Sequence, residues 1–327
     1  MEHPGLPFAW MSVAPLAPLL HDPEVIEVSI NAGDVWVERL GHVPCLADIR
    51  LTEHQLVGMI VNLAHLSRRE VDLHDGGKPA LVSARLPGFR IEAQLPPVAV
   101  DGPCVSIRRH QARAFTLDDY VAAGQLGDAQ AAFLRHAVAG HATLLVAGGT
   151  STGKTTFLNA LAHEIDRSER LLLIETVPEL VVPHRNVVRL EADESQGYPV
   201  HRLLKSALRS RPDRILVGEV RGGEAFDFMD AANTGHPGSM GTVHANSAVD
   251  ALARLENLVL EGRPAMPLPA VQARIAQTFR LVVHMARVRV GDRWQRRLGE
   301  VLQLDGHDPV TRTYRTTSVF SQELPCA

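Results

Sequence analysis

Residues 148–155, with the sequence GGTSTGKT, fit the pattern G-x-x-x-x-G-K-[ST] without a mismatch. The glycines of this pattern let the backbone wrap around a polyphosphate, so that several N–H groups point inward. An apolar run at 144–147 precedes the segment, and Phe157, Leu158 and Leu161 follow it at helical spacing. That is the strand–loop–helix context which the motif requires. The sequence therefore predicts a nucleotide-binding loop.

The same pattern assigns a role to each of its residues. Lys154 is expected to reach the β- and γ-phosphates, and the Thr155 hydroxyl is expected to bind Mg²⁺. The N-terminus of the following helix adds a favourable dipole for the anion. ATP and Mg²⁺ are therefore the expected cofactors, and the predicted nucleotide-binding residues are Gly148, Gly149, Thr150, Ser151, Thr152, Gly153, Lys154, Thr155 and Thr156.

Two fold patterns divide the chain near residue 115. Before it, alternating apolar and polar residues at 26–31, 89–95 and 105–108 predict strands, and Thr52 with Gln55 predicts the start of a helix. After it, short apolar runs alternate with helical patterns, as in an α/β domain built on a parallel sheet. We predict an N-terminal α/β domain at 1–115 and a nucleotide-binding α/β domain at 116–327.

Two carboxylates follow apolar runs of the second domain. Glu219 comes after residues 215–217, and Glu175 comes directly after residues 171–174. Because ligands bind at the carboxyl ends of the strands in such sheets, both side chains are expected near the phosphates. Hydrolysis needs a carboxylate there to organise the metal shell or polarise water. We predict catalytic roles for Glu219 and Glu175, with Glu219 also holding Mg²⁺, partly through water.

Residues 233–246 are dense in Gly, Thr and His. His244 ends a short predicted strand and precedes a helix whose start is indicated by Ser247 and Asp250. Its position suits a donor that contacts the γ-phosphate. His236 is a second candidate in the same stretch. A single His is more often structural than catalytic, and the chain has 16.

Arg90 and Arg108 lie opposite the apolar faces of their predicted strands. Arginines in such positions are usually solvated. A guanidinium can also bind phosphate oxygens with two hydrogen bonds and stabilise charge during phosphoryl transfer. The residues alone leave the two interpretations balanced.

Composition limits the other classes of function. The chain has 327 residues, a net charge of −4 and only 5% aromatic residues, which disfavours a basic, stacking nucleic-acid channel. Three cysteines without a C-x-x-C pair disfavour a disulfide framework. The N-terminus lacks the features of a signal peptide, and the apolar stretch at 10–20 is too short to span a bilayer. We expect a cytoplasmic protein without stable nucleic-acid binding, with peripheral association at the inner membrane as an alternative.

Taken together, these segments resemble the type II/IV secretion traffic ATPase family, the GspE-like superfamily. The resemblance covers about residues 20–290 and is strongest to the TrbB-like conjugative-transfer and CpaF-like Flp/Tad pilus branches. The matching stretches are 20–25 with Asn31, 90–97 with 106–108, 148–156, 174–180, 208–214, 217–225 and 234–246.

The resemblance implies a RecA-like second domain, a hexameric ring and ATP bound between the two domains. It implies that Glu219 is the general base, Glu175 the second acid and His244 the γ-phosphate sensor, with Arg90 and Arg108 reaching the nucleotide. Such a motor would power type IV secretion, conjugative transfer or Flp/Tad pilus assembly together with inner-membrane components.

One departure from the family pattern concerns activity. Thr176 follows Glu175 where the family commonly has Asp, so a nucleotide-binding subunit that does not hydrolyse ATP stays open as an alternative. A RecA-like nucleic-acid motor is the other alternative. A GTPase is disfavoured, because the sequence contains no N-K-x-D motif.

Overall fold

The structure is a computed structural model that describes residues 14–66, 80–86, 88–109, 115–291 and 293–321. The chain forms two compact units, one of residues 1–112 with 290–294 and one of residues 113–289 with 295–327. The predicted boundary assigns residues 116–327 to the second domain. Residues 290–294 instead group with the first unit, where the Trp294 N–H donates to the Gly41 carbonyl at 3.0 Å.

The described part of the first unit has a six-stranded sheet in which neighbouring strands are antiparallel. Its elements are α1 (Ala17–His21), β1 (Val25–Asn31), β2 (Asp34–Arg39), β3 (Cys45–Arg50), α2 (Glu53–Leu66), β4 (Leu81–Leu86), β5 (Phe89–Gln94) and β6 (Cys104–Arg109). The strand order is β3-β2-β1-β6-β5-β4. The strand patterns predicted at 26–31, 89–95 and 105–108 are confirmed within a residue or two.

Strand alternation places the core of the first unit on one face of this sheet. Val28 and Ile30 are fully buried, whereas Ser29 between them is only half-buried. Helix α2 contributes apolar side chains to the same core. The predicted capping box at its start is present, because the Thr52 N–H donates to Gln55 Oε1 at 2.8 Å and the Gln55 N–H donates to Thr52 Oγ1 at 3.3 Å.

The early apolar stretch at 10–20 is only partly within the described residues, since 10–13 lie outside them. Leu16 and Leu20 are buried in the core of the first unit. Arg109 holds the chain that follows, because its Nε donates to the Val25 carbonyl at 2.9 Å and its Nη2 donates to the Asp22 carbonyl at 3.0 Å. The described half of this stretch is therefore core structure.

The second unit is built on an eight-stranded sheet in the order β14-β13-β12-β7-β11-β10-β8-β9. Its elements are α3 (Leu117–Ala122), α4 (Asp128–Ala139), β7 (Leu144–Gly148), α5 (Lys154–His163), β8 (Leu171–Glu175), β9 (Val187–Glu191), α6 (Val200–Ala207), β10 (Arg214–Val217), α7 (Glu224–Asn233), β11 (Met240–His244), α8 (Ala248–Gly262), α9 (Leu268–Thr278), β12 (Leu281–Val290), β13 (Arg293–Asp308) and β14 (Thr313–Ser321). Strands β12 and β13 are neighbours at one side of this sheet.

Parallel pairing connects the strands from β12 to β9, and helices cover both faces. Leu145 and Ala147 of β7 point into a core shared with α6–α9, while Leu144 and Val146 point into a core shared with α3–α5. Continuous apolar runs are the expected consequence of a sheet buried on both sides. Within the described parts of the chain, no helix is both long and apolar enough to cross a bilayer.

Candidate nucleotide-hydrolysis site

The phosphate loop joins the carboxyl end of β7 to the start of α5. Gly153 precedes the helix at a φ of +87°, in the left-handed region that glycine adopts without a Cβ penalty. At Gly148, a Cβ would lie 2.5 Å from Thr152 Oγ1 and 2.6 Å from the Met285 carbonyl oxygen. The two glycines of the motif are thus required by local geometry.

Lys154 and Thr155 occupy the first turn of α5, as the motif predicts. The Lys154 ammonium donates to the Gly149 carbonyl at 2.8 Å, and its Nζ lies 3.4 Å from His244 Nε2. The Thr152 hydroxyl donates to the same carbonyl at 2.9 Å. The lysine is 8% exposed, so its charge lies within the loop.

The predicted acids and histidine lie at one edge of the sheet. His244 is the last residue of β11 and pairs in register with Gly148. Glu219 follows the end of the neighbouring strand β10, and Glu175 ends β8, the next strand along. The carboxyl ends of four adjacent strands therefore bring these three side chains to the same edge of the sheet as the phosphate loop.

Glu219 lies between two basic residues, His244 and Arg221. Its Oε1 lies 2.9 Å from His244 Nε2, and its Oε2 accepts from Arg221 Nε at 2.7 Å. Oε1 is buried, and the His244 contact is at ion-pair distance without hydrogen-bond alignment; within the described residues this oxygen accepts no hydrogen bond. One carboxylate oxygen is thus held by Arg221, and the other is left for a further partner.

These side chains line a concavity of about 370 Å³, together with Val220 and Arg254. Burial lowers the pKa of His244, and the charge of Lys154 lowers it further, while Glu219 opposes the shift. This shift favours the neutral imidazole, which can donate one N–H. Arg221 and Arg254 were not among the predicted site residues, because an arginine in a loop or on a helix has no distinguishing pattern.

Glu175 is held more tightly than Glu219. It is 4% exposed, and its Oε1 accepts from the backbone N–H groups of Glu179 at 2.8 Å and Leu180 at 2.9 Å. Burial raises the pKa of Glu175 to about 7, against the lowering effect of those two N–H groups. A Cβ on Gly218 would lie 3.0 Å from Glu175 Cγ, so the side chain packs against the residue before Glu219.

Thr242 fixes the backbone on both sides of Glu219. Its hydroxyl donates to the Gly218 carbonyl at 2.6 Å, and its own carbonyl accepts from the Val220 N–H at 2.8 Å. Asn159 of α5 similarly holds the segment after Glu175, since it accepts from the Val181 N–H at 2.8 Å. Neither supporting role was predicted, because each joins residues more than 20 positions apart.

His236 lies at the opposite end of β11 from His244. It precedes the strand, is 9% exposed, and its Nδ1 lies 2.8 Å from the Pro212 carbonyl oxygen. His236 therefore lies away from the phosphate loop. The two histidines are separated by the length of a five-residue strand, and only His244 reaches the phosphate loop.

Arg90 and Arg108 belong to the first unit and face each other on neighbouring strands. They are register partners between β5 and β6, and both are exposed on the face away from the core. Like charges directly opposite each other on a sheet are destabilising. On its other side Arg108 is the register partner of Glu27 of β1, so an acidic residue lies beside the pair.

Comparison with known proteins places the chain in a family. The family model described as type II/IV secretion system protein matches residues 11–311. The chain belongs to the type II/IV secretion system protein family. It is 39% identical over 293 residues to a probable conjugal transfer protein TrbB of Sinorhizobium fredii, which covers 88% of this chain and 85% of that protein.

A second relative and a solved structure are also similar to this chain. The chain is 35% identical to the type IV secretion system protein VirB11 of Brucella suis over 91% of its own length and 90% of that protein. The Legionella pneumophila ATPase DotB matches with a TM-score of 0.63 at 20% identity, covering 90% of this chain and 82% of DotB. The second unit has the RecA-like fold of these ATPases, and family membership implies that the chain binds nucleotide.

Proposed function

We propose that this protein is an ATP-hydrolysing motor that powers a type IV secretion or conjugative-transfer machine. The observation that carries the proposal is the unbroken set of contacts from Lys154 in the phosphate loop through His244 to Glu219. Phosphoryl transfer needs charge stabilisation at the γ-phosphate and a group that orients the attacking water. Those two requirements are met by side chains that already touch one another.

The residues at this edge fit a magnesium nucleotide. The described residues contain no cluster of three or more His, Cys, Asp or Glu side chains placed for a metal ion. Mg²⁺ needs no such cluster, because it is usually bound by one or two protein groups, water and substrate phosphates. Thr155 would bind it directly, and Glu219 would hold it partly through water. When bound, it would neutralise charge on the phosphate oxygens.

The protein groups then divide the chemistry. The backbone N–H groups of the loop and Lys154 bind the phosphates, and Glu219 accepts the proton of the attacking water. Neutral His244 donates its N–H to the γ-phosphate. Glu175 has a pKa of about 7 because it is buried, so it can hold or release a proton in the working range of pH.

The two exposed arginines of the first unit extend this proposal. Arg90 and Arg108, which are register partners on one sheet face, would contact the phosphates of a bound nucleotide. We further propose that the protein assembles as a homo-hexamer at the cytoplasmic face of the inner membrane. Its partners would be inner-membrane components of the machine, as expected for relatives named for conjugal transfer and type IV secretion.

The first test is Mg²⁺-dependent ATP hydrolysis by the purified protein, at concentrations that favour assembly. Lys154→Ala should abolish turnover, because it removes the charge within the phosphate loop. Lys205→Ala is the matched control, since that lysine is 57% exposed on α6 and lies outside the loop. Equal turnover in all three proteins would contradict the proposal.

Two other results would indicate a different function. Tight ATP binding without turnover would indicate a nucleotide-binding subunit that does not hydrolyse ATP on its own. Turnover that depends on single-stranded DNA would indicate a nucleic-acid motor.

A further inference from the structure

The phosphate loop is contacted by an arginine that lies about 145 positions later in the chain. Arg296 lies near the start of β13, and its Nε donates to the Ser151 carbonyl at 3.2 Å. Its Cδ lies 2.9 Å from the position that a Cβ on Gly153 would take. The side chain therefore crosses the loop at two of its residues, by a hydrogen bond and by packing of its aliphatic stem.

Ser151 is the residue of the loop that most needs external support. Its φ is +59°, a left-handed conformation that non-glycine residues rarely adopt and that persists only when surrounding contacts enforce it. Arg296 is a charged donor, and hydrogen bonds of this kind are stronger than those between neutral groups. The arginine thus holds the loop at a point where the backbone alone would relax.

The direction of that carbonyl decides the direction of the next N–H. In a trans peptide the C=O and the following N–H point to opposite sides. Because the Ser151 carbonyl faces Arg296, the Thr152 N–H points away from Arg296. In a phosphate loop the N–H groups on the inner side bind the polyphosphate.

We propose that Arg296 is a positioning residue of the nucleotide site, which holds the phosphate loop in its binding conformation through the Ser151 carbonyl. The inference rests on the proposed nucleotide function and adds a residue outside every motif. Arg296 also lies within electrostatic reach of Tyr120, whose ring packs on Phe157 of α5 at 5.1 Å. The arginine therefore sits among the elements that support the loop.

The chain provides a matched control on the same strand. Arg297 is the next residue, and its Nε and Nη2 donate to Gln295 Oε1 at 3.1 and 2.6 Å. Arg296→Met keeps the stem over Gly153 and removes the donor and the charge, and Arg297→Met makes the same change beside it. Arg296→Lys keeps a charged donor on a shorter side chain.

The experiment measures equilibrium binding of MgADP and of inorganic pyrophosphate by the full-length variants, with urea unfolding in the absence of ligand. We expect Arg296→Met to weaken both ligands by about tenfold, the factor expected when one charge-assisted hydrogen bond is lost. Arg297→Met should bind as the wild type does, and Arg296→Lys should recover part of the loss. The unfolding midpoints of both Met variants should agree.

Several results would overturn the inference. Equal affinities in the two Met variants would do so, and so would an affinity loss that only follows a loss of stability without ligand. Weakened ADP with unchanged pyrophosphate would place Arg296 at the base or ribose instead. A wild-type protein that binds neither ligand would contradict the proposed function itself, which separates the two failures.

Discussion

The two ends of the RecA-like sheet use the same kinds of charged residue in opposite ways. At the carboxyl ends of the strands, Glu219 keeps a buried oxygen without a hydrogen bond among the described residues, although Arg221 and His244 lie against the carboxylate. At the amino ends, Arg214 is 1% exposed and donates to both oxygens of Glu169 at 2.7 Å. The first arrangement leaves capacity for a ligand, and the second leaves none.

The amino-end pair is also enclosed by backbone. Arg214 Nη1 donates to the Val138 carbonyl at 2.8 Å, and a Cβ on Gly238 would lie 2.6 Å from the same nitrogen. Gly238 has a φ of +76°, so it is required for both conformation and close approach. An ion pair that is bonded this completely joins β10 to α4 and to the loop before β8, and it offers no site for chemistry.

The largest effect expected at the carboxyl end is on turnover. Glu219→Gln removes the proposed base while its side-chain oxygen can still accept from Arg221, so nucleotide affinity should be retained. We expect kcat to fall by about 10²- to 10⁴-fold, the range for loss of a general base. Steady-state hydrolysis and MgADP affinity measure the two quantities, with the exposed Glu261→Gln of α8 as the control. A variant with wild-type kcat would show that Glu219 is not the general base.

The amino end should respond in the reverse manner. Arg214→Met leaves Glu169 without its buried partner, so the free energy of unfolding should fall by about 3–5 kcal/mol, while kcat per folded molecule is unchanged. Arg221→Met is the matched change at the carboxyl end. Its guanidinium is 61% exposed, so stability should change by less than about 1 kcal/mol. Urea unfolding and hydrolysis rates test both.

The pair itself can be separated from the packing around it. In the double variant Arg214→Met, Glu169→Leu, no unpaired buried charge is left, so much of the lost stability should return. A double variant as unstable as the sum of the two single changes would mean that volume and backbone contacts, not the charge pair, determine stability there.

The parts of this fold that could be predicted depend on local patterns. Residues 148–155 specify their own loop, the Thr52–Gln55 capping box starts a helix, and apolar runs place Glu175 and Glu219 at strand ends. Each signal lies within a few residues and has one physical explanation. Because parallel strands end at a common edge, local assignments were sufficient to bring these side chains to one site.

The parts that could not be predicted depend on contacts between distant segments. Arg214 follows Arg211 and Asp213 in the sequence, a context typical of a surface residue. It is nevertheless 1% exposed and pairs with Glu169, 45 positions earlier. His236 and His244 occur in one motif, yet His236 contacts the Pro212 carbonyl, 24 positions earlier in the chain. No local pattern contains the pairing of Arg296 with Ser151.

The last prediction uses pH to compare carboxylates at the two ends of the sheet. Burial raises the pKa of Glu175 to about 7, from an ordinary value of 4.5. Below about pH 4.5 the carboxyl group is protonated in both the folded and the unfolded protein. Between pH 4.5 and 7 the unfolded chain releases the proton and the folded protein keeps it, so stability falls as pH rises. The loss is complete above the folded pKa.

Glu175→Gln cannot ionise, and its amide oxygen can still accept from the Glu179 and Leu180 N–H groups. The variant should therefore match the wild type near pH 5 and exceed its free energy of unfolding by about 2–3 kcal/mol near pH 8, from the size of the pKa shift. Glu169→Gln should lose stability at both pH values, because it breaks the pair with Arg214. Urea unfolding at pH 5 and pH 8 measures all three proteins. If both variants instead lost stability at both pH values, the Glu175 carboxylate would be held as completely as that of Glu169. The two ends of the sheet would then not differ in this respect.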